Sequence, residues 1–219
     1  MKTNHVPGQL DSESLVIAAK SVTLLDQDFA PILSQLGPPP LWERQQGFVT
    51  LVRIILEQQV SQVSADAMFQ RLRRNIEPLT PVSVIAAGES FLRSFGVTRQ
   101  KATYFINVAQ AIQSGGLDLE ALGQKSDEEA IEKLTSVKGI GQWTAKIYLL
   151  MALRRPDVWP VGDVALATAY KNLKGMSERP TQPELSELAL AWRPHRATAA
   201  RMLWHYYLSG MKDQVENQR

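Results

Sequence analysis

Apolar residues along this chain recur at every third or fourth position, and stretches that alternate apolar with polar residues, as a half-buried strand would, are scarce. From Gly47 to Asn75, GFVTLVRIILEQQVSQVSADAMFQRLRRN, one helical stripe is formed by Phe48, Leu51, Val52 and Ile55 and a second by Val63, Ala67, Met68 and Leu72. Ser61 is placed to cap the second stripe, so EQQVS marks a junction between two helices. Thr98 is placed to cap a helix through RQKATYFINVAQAIQ, which Gly115 and Gly116 end. SDEEAIEKLTSV opens with Ser126 three residues before Glu129, a capping box with acids in its first turn, and should stop at Val137. QWTAKIYLLMAL, Gln142 to Leu153, is apolar almost all round and predicts a buried central helix. A loop with Pro156 and Pro160 follows, then a short helix VALATAYKNL, a proline-rich connector holding one more helix, and a last helix from about His195 to Leu208. The clearest linker is LGPPPLW, Leu36 to Trp42. The expectation is an all-α protein of about ten helices without internal repeats.

Several function classes fall away on composition. No apolar run approaches the roughly 18 residues that span a bilayer, so no membrane partner is expected. MKTNHVPGQLDSES lacks an apolar core behind its first lysine, and a cytoplasmic setting is the expectation. Cysteine is absent, which removes disulfides, thiolate zinc sites and cysteine-held iron-sulfur clusters. His5, His195 and His205 are too few and too scattered to form a zinc ligand set. A net charge of +2 is compatible with nucleic acid but too small for a purely electrostatic binder, so contacts to DNA would have to be local and geometric.

The segment VKGIGQWTAK, Val137 to Lys146, sets Gly139 and Gly141 in a turn between two helices. Glycine permits positive φ and close approach to the backbone, and the helix that starts near Gln142 points its unsatisfied N–H groups and positive dipole end out of that turn. Such a terminus suits an anion, with Lys138 and Lys146 beside it. The same glycines also suit a plain αα-hairpin that only turns the chain. Asp163 is likewise open to two readings, as a catalytic carboxylate and as the N-cap of the helix that follows it.

The longer run LTSVKGIGQWTAKIYLLMAL...DVWPVGD resembles the helix-hairpin-helix, Gly/Pro-rich-loop, aspartate superfamily of DNA repair glycosylases, closest in look to the alkylation-repair branch called DNA-3-methyladenine glycosylase II. The likeness takes in the hairpin at 137–141, the loop with Pro160 and Gly162, and Asp163, and it extends upstream to ILEQQVS and GVTRQKA and downstream to WRPHRATAARMLWHYY. It implies an all-α, two-lobed fold with the active-site cleft between the lobes and without the N-terminal β-rich subdomain of some members. The lobes expected are a central one at 46–153, with the hairpin motif at about 127–153, and a second made of the N-terminal segment 1–45 and residues 154–212, with a frayed tail at 213–219.

The resemblance also assigns roles. Asp163 becomes the catalytic carboxylate, a role compatible with capping because capping amides favour an anion. Lys138, Gly139, Ile140, Gly141, Lys146 and Arg196 are the expected DNA backbone contacts, with Arg193 nearby, and Gln58 and Gln59 the expected plug of the gap left by a flipped base. Trp143, Tyr148, Trp42 and Trp204 are candidate walls of the base pocket, each also readable as core. Members that cut the strand carry a lysine two residues past the second hairpin glycine; here that residue is Trp143, and Lys146 does not match the position, so a monofunctional enzyme is expected. One carboxylate without an assigned acid suits bases already made cationic by alkylation, such as 3-methyladenine or 7-methylguanine. The implied partner is double-stranded DNA containing damaged bases, and a monomer is expected. No cofactor or iron-sulfur cluster is expected, while a monovalent cation held by hairpin carbonyls is compatible with the family pattern. The competing readings are a non-catalytic hairpin DNA-binding protein and a glycosylase for other damaged bases.

Overall fold

The computed structural model describes residues 8–210, so His5 and the tail expected at 213–219 lie outside the described residues. Every regular element among them is helical, and no helix is long and apolar enough to cross a membrane. The chain divides into two compact units, Met1–Glu43 with Arg154–Arg219, and Arg44–Leu153.

The Arg44–Leu153 unit holds α3 (Phe48–Glu57), α4 (Gln62–Asn75), α5 (Pro81–Arg93), α6 (Arg99–Gln113), α7 (Asp127–Thr135) and α8 (Gln142–Met151). Local chemistry sets their starts: Ser61, Thr98 and Ser126 each accept a backbone N–H from the third residue of their helix, as expected from the sequence. Gly88, at φ 72°, breaks the helical path inside α5. α8 packs on α3 and α7, and its Thr144, Ala145, Ile147, Tyr148, Leu149 and Leu150 are buried. It ends at Met151, two residues before the expected stop.

The other unit is built from α1 (Ser12–Leu25), α2 (Ala30–Leu36), α9 (Val164–Leu173), α10 (Gln182–Leu188) and α11 (Arg196–Ser209). α11 packs against α9, α1 and α2, and the small side chains of Ala197, Ala199 and Ala200, fully buried, let those helices approach closely. Beside it, the rings of Phe29, Trp159 and Tyr170 surround Trp192 at 5.2–5.8 Å. Trp192 Nε1–H donates to Asp26 Oδ2 at 3.1 Å, and Lys174 Nζ bridges Asp26 at 2.7 Å and Asp28 at 2.6 Å. The polar rim of the cluster is thereby satisfied.

Candidate functional site

Asp163 ends the loop 154–163 and caps α9: its Oδ1 accepts the Leu166 N–H at 3.0 Å. The same oxygen lies 3.3 Å from Nε1 of Trp204, so the α11 indole adds a second donor. Trp204 meets Trp42 edge to face at 6.2 Å, and Trp42 meets His205 at 6.5 Å. Trp42 has φ 46°, a left-handed backbone rarely adopted by a bulky residue, and the chain before it is held by Arg201, whose Nε donates to the Leu41 carbonyl at 3.0 Å. Asp163 and Trp42 are both partly exposed. Three sequence-named residues, Asp163, Trp204 and Trp42, therefore share one neighbourhood in this unit.

The loop that carries the aspartate is fixed along its length. Near its start Arg196 grips Asp157, with Nε on Oδ1 and Nη2 on Oδ2, each at 2.9 Å, and Nη2 on the Asp157 carbonyl at 2.8 Å. The Pro156 carbonyl accepts the Ala197 N–H at 3.0 Å, and Trp159 anchors the middle of the loop in the aromatic cluster. This corrects the expectation for Arg196: its guanidinium is spent in a bidentate clamp on Asp157 rather than offered to phosphate. Arg193, 60% exposed and 3.6 Å from Asp157, is the more outward of the two.

In the Arg44–Leu153 unit the hairpin glycines separate by task. Gly139 has φ 113°, and a methyl added there would sit 2.5 Å from the Tyr104 side chain, so this glycine makes room for Tyr104. Gly141, with φ −87°, has no atom within 4 Å of its missing methyl and is exposed. The open face suited to a close partner is at Gly141, where the N-terminus of α8 emerges. Lys138 is exposed, Lys146 and Trp143 are partly exposed on the first turns of α8, and Ile140 is buried. Tyr148 departs from the expectation of a pocket wall. It has no exposed surface, its hydroxyl accepts the Gly47 N–H at 2.9 Å, and burial pushes its pKa up to about 12, all marks of a core tyrosine.

The EQQVS junction also divides its glutamines. Gln58 turns inward, its Nε2 donating to the Gly139 carbonyl at 3.2 Å and to Thr144 Oγ1 at 2.9 Å, so it ties the junction to the hairpin and is not a free plug. Gln59 is exposed with φ 55°. A residue missed in the sequence, Lys101, reaches the same junction: its Nζ donates to the carbonyls of Leu56 at 2.7 Å and Gln58 at 2.8 Å.

Among the described residues no group of three or more His, Cys, Asp or Glu side chains converges as a metal site. At the hairpin, the carbonyls of Val137, Lys138 and Gly139 accept donors from Ile140 N, Asn107 Nδ2 and Gln58 Nε2. A monovalent cation bound through these oxygens would share them with those donors.

The family model described as HhH-GPD superfamily base excision DNA repair protein matches residues 52–194. The chain is similar to DNA-3-methyladenine glycosylase 1 of Schizosaccharomyces pombe, 28% identical over 198 residues that cover 87% of each chain. Among solved structures it is similar to the 3-methyladenine DNA glycosylase of that yeast in complex with abasic DNA, with a TM-score of 0.80, 28% identity, and coverage of 86% of this chain and 95% of the other. It is also similar to the DNA-3-methyladenine glycosidase of Bacillus halodurans, with a TM-score of 0.76, 31% identity, and coverage of 90% and 91%. The match spans well over half of the chain and takes in the hairpin, the loop and Asp163, and the chain belongs to the HhH-GPD superfamily of base excision DNA repair proteins.

Proposed function

We propose that this protein is a monofunctional DNA glycosylase that hydrolyses the N-glycosidic bond of alkylated purines of the 3-methyladenine and 7-methylguanine type in duplex DNA, leaving an abasic site. The relatives' activity supports the reaction class. The observation that carries the reading is the Asp163 carboxylate, partly exposed, held by the Leu166 amide and the Trp204 indole beside a second tryptophan, Trp42.

The chemistry follows from charge. As the C1′–N bond breaks, its electron pair goes to the base and positive charge builds on the sugar. Asp163 supplies a fixed negative charge where that cation develops; removing one preorganised electrostatic contact of this kind costs about 3–4 kcal/mol. Water adds at C1′, and its proton passes to the carboxylate or to solvent. A purine alkylated on a ring nitrogen already carries positive charge, so it leaves as a neutral molecule with no acid to protonate it. Aromatic faces attract a cationic ring, and the partly exposed Trp42 stands near the carboxylate, packed edge to face on the buried Trp204.

The remaining roles fall to the other unit. The α8 N-terminus at Gly141 and exposed Lys138 take the DNA backbone, and Gln59 fills the space of an everted base. Trp143 stands where strand-cutting relatives carry lysine, so no Schiff base forms. Incubation of the protein with methylated duplex DNA and identification of the released bases by mass spectrometry tests the reading. Release of 7-methylguanine and 3-methyladenine is expected. Release of normal or neutral oxidised bases alone, with 7-methylguanine spared, would overturn it.

A further inference from the structure

Lys101 is 8% exposed, and its ammonium faces the carbonyls of Leu56 and Gln58 at the end of α3. Helix-terminal carbonyls lack intrahelical donors, and a cation there opposes the negative end of the dipole. A backbone N–H or water would serve the same end without burying an ammonium group, which is costly. The lysine reaches across 45 residues of chain to Leu56, and burial pulls its pKa below the ordinary lysine value.

The surrounding contacts show what this cation secures. Glu57 is pinned by Nη1 and Nη2 of Arg44, at 2.9 and 2.7 Å, and Gln58 by the hairpin carbonyl of Gly139 and by Thr144. Every residue from Leu56 to Gln58 is tied inward. The next residue, Gln59, turns outward in a left-handed conformation at φ 55°, followed by Val60 and Val63, 39% and 81% exposed. A non-glycine residue holds that conformation only where its neighbours over-determine it.

We propose that Lys101 is a positioning residue for duplex invasion: its ammonium clamps the backbone of Leu56–Gln58 so that Gln59 is presented, already ordered, to the gap left by an everted base. This rests on the glycosylase reading. Its advantage is preorganisation, because ordering one backbone residue on binding otherwise lowers the population of the competent state by roughly 5- to 30-fold.

The test is single-turnover excision of 7-methylguanine by wild type, K101M, Q59A and K101M/Q59A, on duplex DNA and on the same strand without its complement. K101M is expected to slow duplex excision about tenfold and single-strand excision far less. The double variant is expected to be no slower than the slower single one, since Lys101 acts through Gln59. Lys101→Gln keeps one amide donor and should lose only several-fold; it serves in the same cycle where K101M does not fold. Multiplicative losses in the double variant, equal slowing on both substrates, or no slowing on duplex would each overturn the proposal. Wild-type protein inactive on both substrates would instead remove the glycosylase reading, and this role with it.

Discussion

Oδ1 of Asp163 accepts from the Leu166 backbone amide and lies 3.3 Å from the Trp204 indole N–H, so one oxygen of the carboxylate is held by α9 and α11 together. Electrostatic stabilisation depends on a charge that does not reorganise as the reaction proceeds. The contact gives the buried Trp204 a polar task beside its ring packing on Trp42. Trp204→Phe keeps a ring and removes the donor. A hydrogen bond to a charged group contributes about 1.5–3 kcal/mol, so the single-turnover excision rate should fall roughly 10-fold or more while affinity for abasic DNA holds. An unchanged rate would separate the indole from the carboxylate's function.

The two hairpin glycines should respond in opposite ways. Gly139→Ala meets the Tyr104 side chain at 2.5 Å in a backbone conformation with φ 113°, and overpacking plus backbone strain should cost about 2 kcal/mol or more of stability. Gly141→Ala has open space and an ordinary φ, so its melting temperature should hold. Its methyl would instead stand between the α8 amides and a phosphate. Chemical denaturation of both variants, with abasic-DNA affinity of Gly141→Ala, checks this; a destabilised Gly141→Ala with normal affinity would contradict it.

Lys138 and Arg196 divide similarly. Lys138→Ala should reduce the slope of log binding constant against log salt by about 0.9, the contribution of one phosphate contact on duplex DNA. Arg196→Ala should leave that slope alone and lower stability by about 1–3 kcal/mol, because it frees the part-buried Asp157 carboxylate from its clamp. A lower salt slope in Arg196→Ala would restore it as a phosphate ligand.

His205 supplies a pH test of the Trp42–Trp204 neighbourhood. Burial pulls its pKa below the ordinary histidine value, so the folded state resists charging it. Its contribution to stability is complete above the unfolded pKa, about 6.5, and is lost as pH falls from there through the lowered folded value. The melting temperature should therefore drop over that range by more in wild type than in His205→Gln. Parallel curves for the two would contradict the assignment.

Much of the fold was legible because helix starts are local. Asp163 reads as an N-cap, Ser126 with Glu129 as a capping box, and Ser61 as the start of α4, all from residues three apart. α1 carries the same kind of signal, Asp11 with Ser14 and an apolar stripe of Leu15, Ala18, Ala19 and Val22. The contacts that shape the candidate site are not local. Trp204 meets Asp163 across 41 residues and Arg196 meets Asp157 across 39, so nothing in the spacing distinguishes a clamp from an exposed cation. For a related reason the sequence leaves Tyr148 open between pocket and core and Gln58 open between plug and anchor: a residue type that suits a pocket or a plug suits a core hydrogen bond equally well.

The proposed monofunctional reaction can be checked by borohydride reduction during turnover. With Trp143 at the family's lysine position, no covalent protein–DNA adduct should accumulate. A trapped adduct would make the enzyme a lyase as well.

In the proposed reaction the Asp163 carboxylate carries the chemistry and not the grip on DNA. Single-turnover excision of 7-methylguanine by Asp163→Asn, paired with its affinity for abasic DNA, tests it most directly. Asparagine keeps the size and the capping oxygen, so binding should stay within a few-fold of wild type while excision falls by about 10² to 10³. Excision at the wild-type rate, or a loss of binding equal to the loss of rate, would contradict the account.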